Sequence, residues 1–402
     1  MIDSLVSTRC PVCSGQVAVK FFDAGEQPLA TLAWPSSQAD AQALPRNRLD
    51  YVQCPACTHV WNHAFRYEDI PYSKNPNRMF NSGGIWRGHL AQTRDLVLSK
   101  LPANPVVVEI GCGEGHFLRG LSEAVQGGRF LGFDPSASPE NGIGVEFHAR
   151  LFDPIRDTAA NAPDVIIIRH VLEHLTDVSA FIEQLSWGAA NLGKPCLLFA
   201  EVPCIDRVFE TDRLADFFYE HVAQFTTESF STLMKRGGKL LQVGHGYDGE
   251  VVYALVELGR SEVQRAHAGA SAEFSQRSVT SRARIAEQLN VLANSGKTVA
   301  VWGGTGKAAA FLHHFGGDAK RFPLVVDSDR DKVGSFVPGT GQRIEFRDIL
   351  KTQLVDVVVI PTQWRAKDIL AEMGREGIVV DQVLIEHKGE LIDFAQADHP
   401  YR

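Results

Sequence analysis

The stretch "PVVVEIGCGEGHFLRGL" at residues 105–121 constrains the fold more than any other. An apolar run of strand length meets glycines at alternate positions and then passes into helical periodicity, the local pattern of a parallel sheet covered by helices. The runs "RFLGFDP", "PDVIIIRHVL", "PCLLFAEVP" and "KLLQVGHGYDGEVVYALVE" continue that sheet. A polar, helix-forming stretch at about 261–290 then reads as a connecting helix, and a second alternation follows: "KTVAVWGGTGKAAAFLHHF", "RFPLVVDSD", "VDVVVIPT" and "DQVLIE". This second unit is Rossmann-like too, but too divergent from the first to be a repeat. The chain is therefore α/β, and 402 residues suit two or three domains.

Before the first glycine loop lie Cys10 and Cys13 in "RCPVCSG", and Cys54 and Cys57 in "YVQCPACTHVW". Each turn lets two thiolates point at one ion, and two turns complete a tetrahedral sulfur set suited to zinc. A closed set leaves no position for a substrate, so the zinc is expected to be structural and to stabilise a segment otherwise short of core. The expected organisation is a zinc-binding module over 1–70, a central α/β domain over 71–260 and a C-terminal Rossmann-like domain over 261–402.

Composition narrows the partners. With 44% hydrophobic and 22% charged residues the chain reads as an ordinary globular protein. A formal charge of -8 argues against nucleic acid, whose binding needs Lys and Arg to neutralise phosphates. No apolar run approaches the ~20 residues that span a bilayer, and no secretion signal opens the chain, so a cytoplasmic protein without a membrane partner is expected. A small polar molecule is the expected partner, and a monomer is compatible with that.

In "VVVEIGCGEGHFL", Glu109 closes the strand and Gly111, Gly113 and Gly115 follow. Such glycines allow a tight turn and close approach of backbone to ligand. Asp134 ends the next apolar run, where a carboxylate can accept both hydroxyls of an adenosine ribose. The spacing differs from the dinucleotide G-x-G-x-x-G, and the acidic residue before the first glycine suits a ligand with an amino group. These features resemble the first motif and following acidic position of class I methyltransferases, which implies S-adenosylmethionine as cofactor. On that resemblance Phe152 and Asp153 stand where the fold contacts adenine. The run "PDVIIIRHVLEHLTD" becomes a buried strand leading into a helix beside the cofactor, with His170 on the cofactor side.

His170, Glu173 and His174 also spell H-x-x-E-H, a zinc-peptidase pattern. A peptidase needs this motif on an exposed helix with a further ligand downstream, whereas here it follows a core strand. Further on, "DFFYEHVAQFTTESF" surrounds Glu220 and His221 with aromatic residues, and an imidazole with a neighbouring carboxylate has the makings of a general base near neutral pH. An amphipathic helix carrying a surface Glu–His pair gives the same composition.

Taken together, the cysteine pairs, the glycine loop, "YEHVAQFT", "VWGGTGKAAAFL" and "VVDSDRDKVGSFVPGTGQRI" resemble the sugar C-methyltransferase family across nearly the whole chain. The resemblance implies methylation of a carbon next to the ketone of a nucleotide-linked 4-keto-deoxysugar. It implies His221 as the base, Glu220 beside it, His174 assisting, and Tyr72 in "IPYSKNPNRMF" near the substrate. The family pattern of Tyr, variable residue, Glu, His is broken here: Phe218 takes the tyrosine position and Tyr219 follows it, so both become candidates for substrate contact.

In the C-terminal unit, Gly304, Gly306 and Ala309 read as G-x-G-x-x-A with Asp327 about 20 residues on, by pattern a dinucleotide fingerprint. Lys307 is followed by Ala308, so this is no P-loop. The resemblance instead implies that this helix N-terminus, with Lys307, holds the diphosphate of a nucleotide sugar. Rival readings are an O-methyltransferase using His221 on a hydroxyl, an NAD-dependent oxidoreductase using the C-terminal fingerprint, and a zinc-ribbon adaptor.

Overall fold

A computed structural model describes residues 4–70, 83–136, 140–142 and 144–402. The chain divides into two compact units, Met1–Arg265 and Ala266–Arg402.

The first unit opens with strands β1 (Leu5–Ser7), β2 (Val17–Gln27), β3 (Asn47–Gln53) and β4 (Val60–Asn62), joined by one short exposed helix, α1 (Gln38–Gln42). Helix α2 (Gly84–Leu98) leads into a βα alternation: β5 (Val106–Ile110), α3 (His116–Ala124), β6 (Arg129–Phe133), β7 (Val145–His148), α4 (Arg156–Asn161), β8 (Val165–Arg169), α5 (Val178–Ala189) and β9 (Leu197–Pro203). After α6 (Asp206–Thr211), strand β10 (Ala223–Gln224) returns to β4, and α7 (Thr227–Lys235) precedes the hairpin β11 (Gly238–Gly246) and β12 (Val251–Leu258).

Two sheets result. The strands that flank the cysteine turns form the antiparallel order β1-β2-β3-β4-β10, and the rest form β11-β12-β9-β8-β5-β6-β7. Strands β5 to β9 are parallel, as the near-continuous apolar runs require. Strand β12 is antiparallel to both β9 and β11, where the sequence pattern pointed only to a continuation of a parallel sheet. That order, with one reversed strand near the edge, is the class I methyltransferase sheet. Its strand order switches direction between β5 and β8, and the crevice beyond their carboxyl ends is where such sheets bind ligands.

The cysteine sheet does not rely on its own core alone. Cys10, Val12, Val52, Cys54, Cys57 and Trp61 belong to the same buried cluster as Ile168 of the large sheet, Leu172 in the turn after β8, and Phe225 and Phe230 just before and within α7. The aromatic segment around Phe217 and Tyr219 packs in turn into the small sheet's own cluster with Leu32, Leu49 and Tyr51.

The expected connecting helix is α8 (Glu262–Ala293), 32 residues long. The second unit then builds β13 (Val299–Trp302), α9 (Lys307–Phe315), β14 (Leu324–Asp327), β15 (Ile344–Phe346), β16 (Val357–Ile360), α10 (Ala366–Glu376), β17 (Gln382–His387) and β18 (Glu390–Asp393). Its sheet order, β15-β14-β13-β16-β17-β18, is that of a Rossmann fold with one antiparallel strand at the end. None of the described helices is long and apolar enough to cross a membrane.

Candidate active site and metal site

The four expected metal ligands converge. Cys10 Sγ lies 3.6 Å from Cys57 Sγ and Cys13 Sγ lies 3.5 Å from Cys54 Sγ. All four sulfurs fall within 4.8 Å of one another. A tetrahedron with ~2.3 Å zinc–sulfur bonds needs sulfurs about 3.8 Å apart, so the donor set fits zinc. The two knuckles share one design. In each, the amide of the first cysteine donates to the carbonyl five residues on (Gly15, His59), and its own carbonyl accepts from the residue four on (Ser14, Thr58). Ser14 and Thr58 both take a left-handed backbone. At Gly15 an added Cβ would come 3.4 Å from Cys13 Sγ and 3.5 Å from Cys54 Sγ.

The glycine loop after β5 is built for close approach. Gly111 and Gly115 have positive φ, and a Cβ would collide with Val171 at 2.2 Å and with Phe147 at 2.4 Å respectively. Gly113 has nothing within 4 Å of a Cβ, so its outer side is open. Asp134 holds the loop, accepting from the Gly113 amide at 3.0 Å through one oxygen and from the Ser136 amide and hydroxyl, both at 2.9 Å, through the other. The oxygen that faces Gly113 has a single donor in the loop and retains a lone pair for a ribose hydroxyl. Glu109 is buried beneath the loop with one oxygen unpartnered among the described residues. Burial raises its pKa to about 7, against the pull of Arg169. Phe152 packs edge-on against Phe133 at the end of β6, ring centroids 4.9 Å apart. Asp153 accepts from the Ile155 and Arg156 amides and so shapes the turn into α4.

Beyond the carboxyl ends of β8 and β9 lies a buried charged network. His170 follows β8 in a left-handed backbone, φ 54°, a conformation non-glycine residues hold only when their surroundings fix it. Its Nε2 lies 3.3 Å from Glu201 and its Nδ1 lies 3.4 Å from Glu173. Glu201 also meets His89 Nε2 at 2.9 Å and Arg169 Nη2 at 3.1 Å. Burial disfavours charge on His170, but the two carboxylates outweigh it and carry its pKa up to about 9. Thus His170, expected at the cofactor, sits between two glutamates. Arg169, His89 and Glu201 went unread in the sequence, where the only signal is a charged residue closing each apolar strand in "VIIIRH" and "LLFAEVP".

His174 and His221 meet edge to face, ring centroids 4.9 Å apart, and Phe218 lies over His221 at 4.1 Å. His174 Nδ1 donates to the Glu220 carbonyl at 2.7 Å, which leaves Nε2 as the acceptor nitrogen. Burial, helped by His174, holds the His221 pKa down to about 3, so its imidazole is neutral at working pH. In place of the expected Glu220–His221 pairing, the Glu220 carboxylate accepts from the amides of Ala30, Thr31 and Leu32 and from the Thr31 hydroxyl. The carboxylate acting on the His221 ring is Glu173. Tyr219 likewise faces the cysteine sheet: its hydroxyl donates to Asp69 at 3.0 Å and accepts from the Arg66 amide at 3.0 Å. Tyr51 donates to the carbonyls of Phe218 and His221 at 2.9 and 3.1 Å. The cysteine module thus grips the His221 segment from three directions. Tyr72 lies outside the described residues.

In the second unit, Asp327 repeats the role of Asp134, accepting from the Gly304 amide at 3.3 Å and the Asp329 amide at 2.9 Å, with Lys332 Nζ at 3.4 Å. A Cβ on Gly304 would lie 2.3 Å from Ile344, and Gly306 takes φ 58°, ψ -123°, open to glycine alone. Lys307 begins α9 with its ammonium 3.6 Å from the centre of the Trp364 ring.

Comparison with known proteins agrees with this architecture. The methyltransferase domain family matches residues 86–238, and the C-methyltransferase C-terminal domain family matches residues 237–379. The C-methyltransferase NovU of Streptomyces niveus is 27% identical over 364 residues, 83% of this chain and 84% of that protein. A ubiquinone biosynthesis O-methyltransferase of Rhodopseudomonas palustris is 29% identical over 34% of this chain and 57% of its own. Among solved structures, Burkholderia thailandensis 1,6-didemethyltoxoflavin-N1-methyltransferase, with its acceptor and S-adenosylhomocysteine bound, covers 44% of this chain and 82% of its own at 14% identity and a TM-score of 0.35. The fold and glycine loop, with these family matches, define an S-adenosylmethionine-dependent methyltransferase. The chain carries the methyltransferase domain and the C-methyltransferase C-terminal domain in that order.

Proposed function

We propose that this enzyme methylates a carbon next to the ketone of a nucleotide-linked keto-deoxysugar, with His221 as the base. The observation that carries the reading is the His221 ring itself: half-buried, neutral, under Phe218 and against His174 of the turn that follows β8. S-adenosylmethionine supplies the electrophilic methyl group. His221 takes the carbon-bound proton, the released electron pair becomes the enolate, and that pair forms the new carbon–carbon bond as the methyl–sulfur bond breaks with its electrons left on sulfur. Asp134 and the glycine loop supply the acceptors and amides suited to adenosine, and the enclosure by Phe218 limits water at the reacting carbon. In the C-terminal unit, the α9 N-terminus with Gly306 and Lys307 suits a diphosphate, while the Trp364 ring suits stacking.

The test is solvent exchange without turnover. A panel of nucleoside-diphosphate 4-keto-deoxyhexoses, incubated in heavy water with enzyme and S-adenosylhomocysteine, should include one that gains deuterium at the carbon next to the ketone. His221→Asn should abolish both exchange and methylation. Product NMR showing the methyl on oxygen would overturn the carbon-acid chemistry.

A further inference from the structure

His221 presents a chemical difficulty: an imidazole with a pKa near 3 is neutral and available, yet it binds a proton weakly. To deprotonate a carbon acid, it needs a partner that stabilises the imidazolium as it forms. Glu220, its neighbour in sequence, is committed to residues 30–32. We propose that Glu173 is that partner and acts as a positioning residue for His221, with His170 and Glu201 behind it holding its carboxylate ionised and fixed.

Four observations support this. Nitrogens of His174 and His221 and a carboxylate oxygen of Glu173 lie within 4.8 Å of one another. Glu173 is 1% exposed, and among the described residues neither of its oxygens accepts a hydrogen bond. A buried carboxylate left so is costly unless a counter-charge or a transient donor faces it. His170 is the resident counter-charge, its Nδ1 3.4 Å from Glu173 and its other nitrogen 3.3 Å from Glu201. His89 holds the other oxygen of Glu201, and Arg169 shares the oxygen that His170 meets, so that group is itself fixed. Among the described residues the titratable groups acting on His221 are thus Glu173, His174 and His170, and of these only Glu173 is an acid. A metal ion on the same three ligands is disfavoured by the imidazolium of His170, which already supplies positive charge there.

The balance is simple. The carbon-bound proton ends on His221, the imidazolium is held by the Glu173 carboxylate, and the proton leaves to solvent after methyl transfer. Glu173 itself stays ionised throughout.

The inference rests on His221 being the base, and the experiment separates the two. The panel of nucleoside-diphosphate 4-keto-deoxyhexoses is used with wild type, Glu173→Gln, Glu173→Asp and His221→Asn. Glu173→Gln should slow deuterium exchange by ~100-fold, the scale of losing assistance to one acid–base group, with donor and sugar dissociation constants unchanged. It should also move the acidic limb of the kcat/KM profile, and Glu173→Asp should recover part of the loss. If His221→Asn exchanges normally, the base assignment itself falls. If His221→Asn is dead and Glu173→Gln exchanges at the wild-type rate, only the Glu173 inference falls. Should Glu173→Gln not fold, imidazole nitrogen NMR on wild type decides: His170 must stay protonated through pH 8 while His221 is neutral above pH 5, and a neutral His170 at pH 7 overturns the arrangement. A second metal per chain that Glu173→Gln removes would overturn it as well.

Discussion

Asp134 accepts from the Gly113 amide through one carboxylate oxygen and from Ser136 through the other, and so is held in place before any ligand arrives. Asp134→Ala should therefore weaken S-adenosylmethionine binding by roughly 1–3 kcal/mol in calorimetry, the loss of charged hydrogen bonds plus a loosened loop. Glu109 gives a pH signature. Its folded pKa of about 7 stands above the usual 4.5, so the folded chain holds the extra proton between those values and stability falls as pH rises through that window. Without cofactor, Glu109→Gln should gain on wild type in Tm as pH goes from 5 to 8, with a difference of roughly 2–4 kcal/mol at the upper end. A difference independent of pH would mean Glu109 is not the titrating group. At this scale the sequence was legible where chemistry is local: Gly111, Gly113, Gly115 and Asp134 belong to one turn and the strand beside it. Glu220 was not legible, because its four donors lie 188 to 190 residues away and nothing in "YEH" marks them.

Among elements, the short strand β10 and the segment before it matter beyond their length. Pairing of β10 with β4, the Tyr51 hydroxyl under two carbonyls, and Glu220 on the loop at 30–32 bind the cysteine sheet to the backbone that carries His221. Purified protein should hold about one zinc per chain by elemental analysis. Cys54→Ser should lower zinc content and Tm together, and methylation should fall with them; full activity in metal-free folded protein would show that the grip does not need the ion. Tyr51→Phe should cost about 1 kcal/mol in denaturant unfolding while zinc stays bound. The parallel strands were readable from continuous apolar runs such as "VVVEI" and "VIIIR", because burial on both faces leaves that mark. The reversed direction of β12 was not, since its Val-rich run fits either orientation and only the pairing with β9 decides.

In the whole molecule, two α/β units use the same clamp: an aspartate at the end of the second strand ties down the glycine loop that follows the first, Asp134 on Gly113 and Asp327 on Gly304. Each unit carries its own loop, so their ligands should be separable. Gly306→Ala with Lys307→Ala should raise the dissociation constant of the sugar nucleotide at least tenfold in calorimetry and leave S-adenosylmethionine binding unchanged; the opposite pattern would assign the C-terminal unit another task. The same long-distance grip also bears on engineering. The cysteine module looks like a detachable cassette in the sequence, ending near residue 70, yet its hydrogen bonds are spent on Phe218, Tyr219, Glu220 and His221. A chimera that exchanges only the first 70 residues with a relative would part Tyr51 and the loop at 30–32 from the backbone they were fitted to. The transferable piece is discontinuous: the module together with residues 217–226, so that recombination points chosen from the linear order alone should yield folded but inactive hybrids, and those that move both stretches should keep turnover.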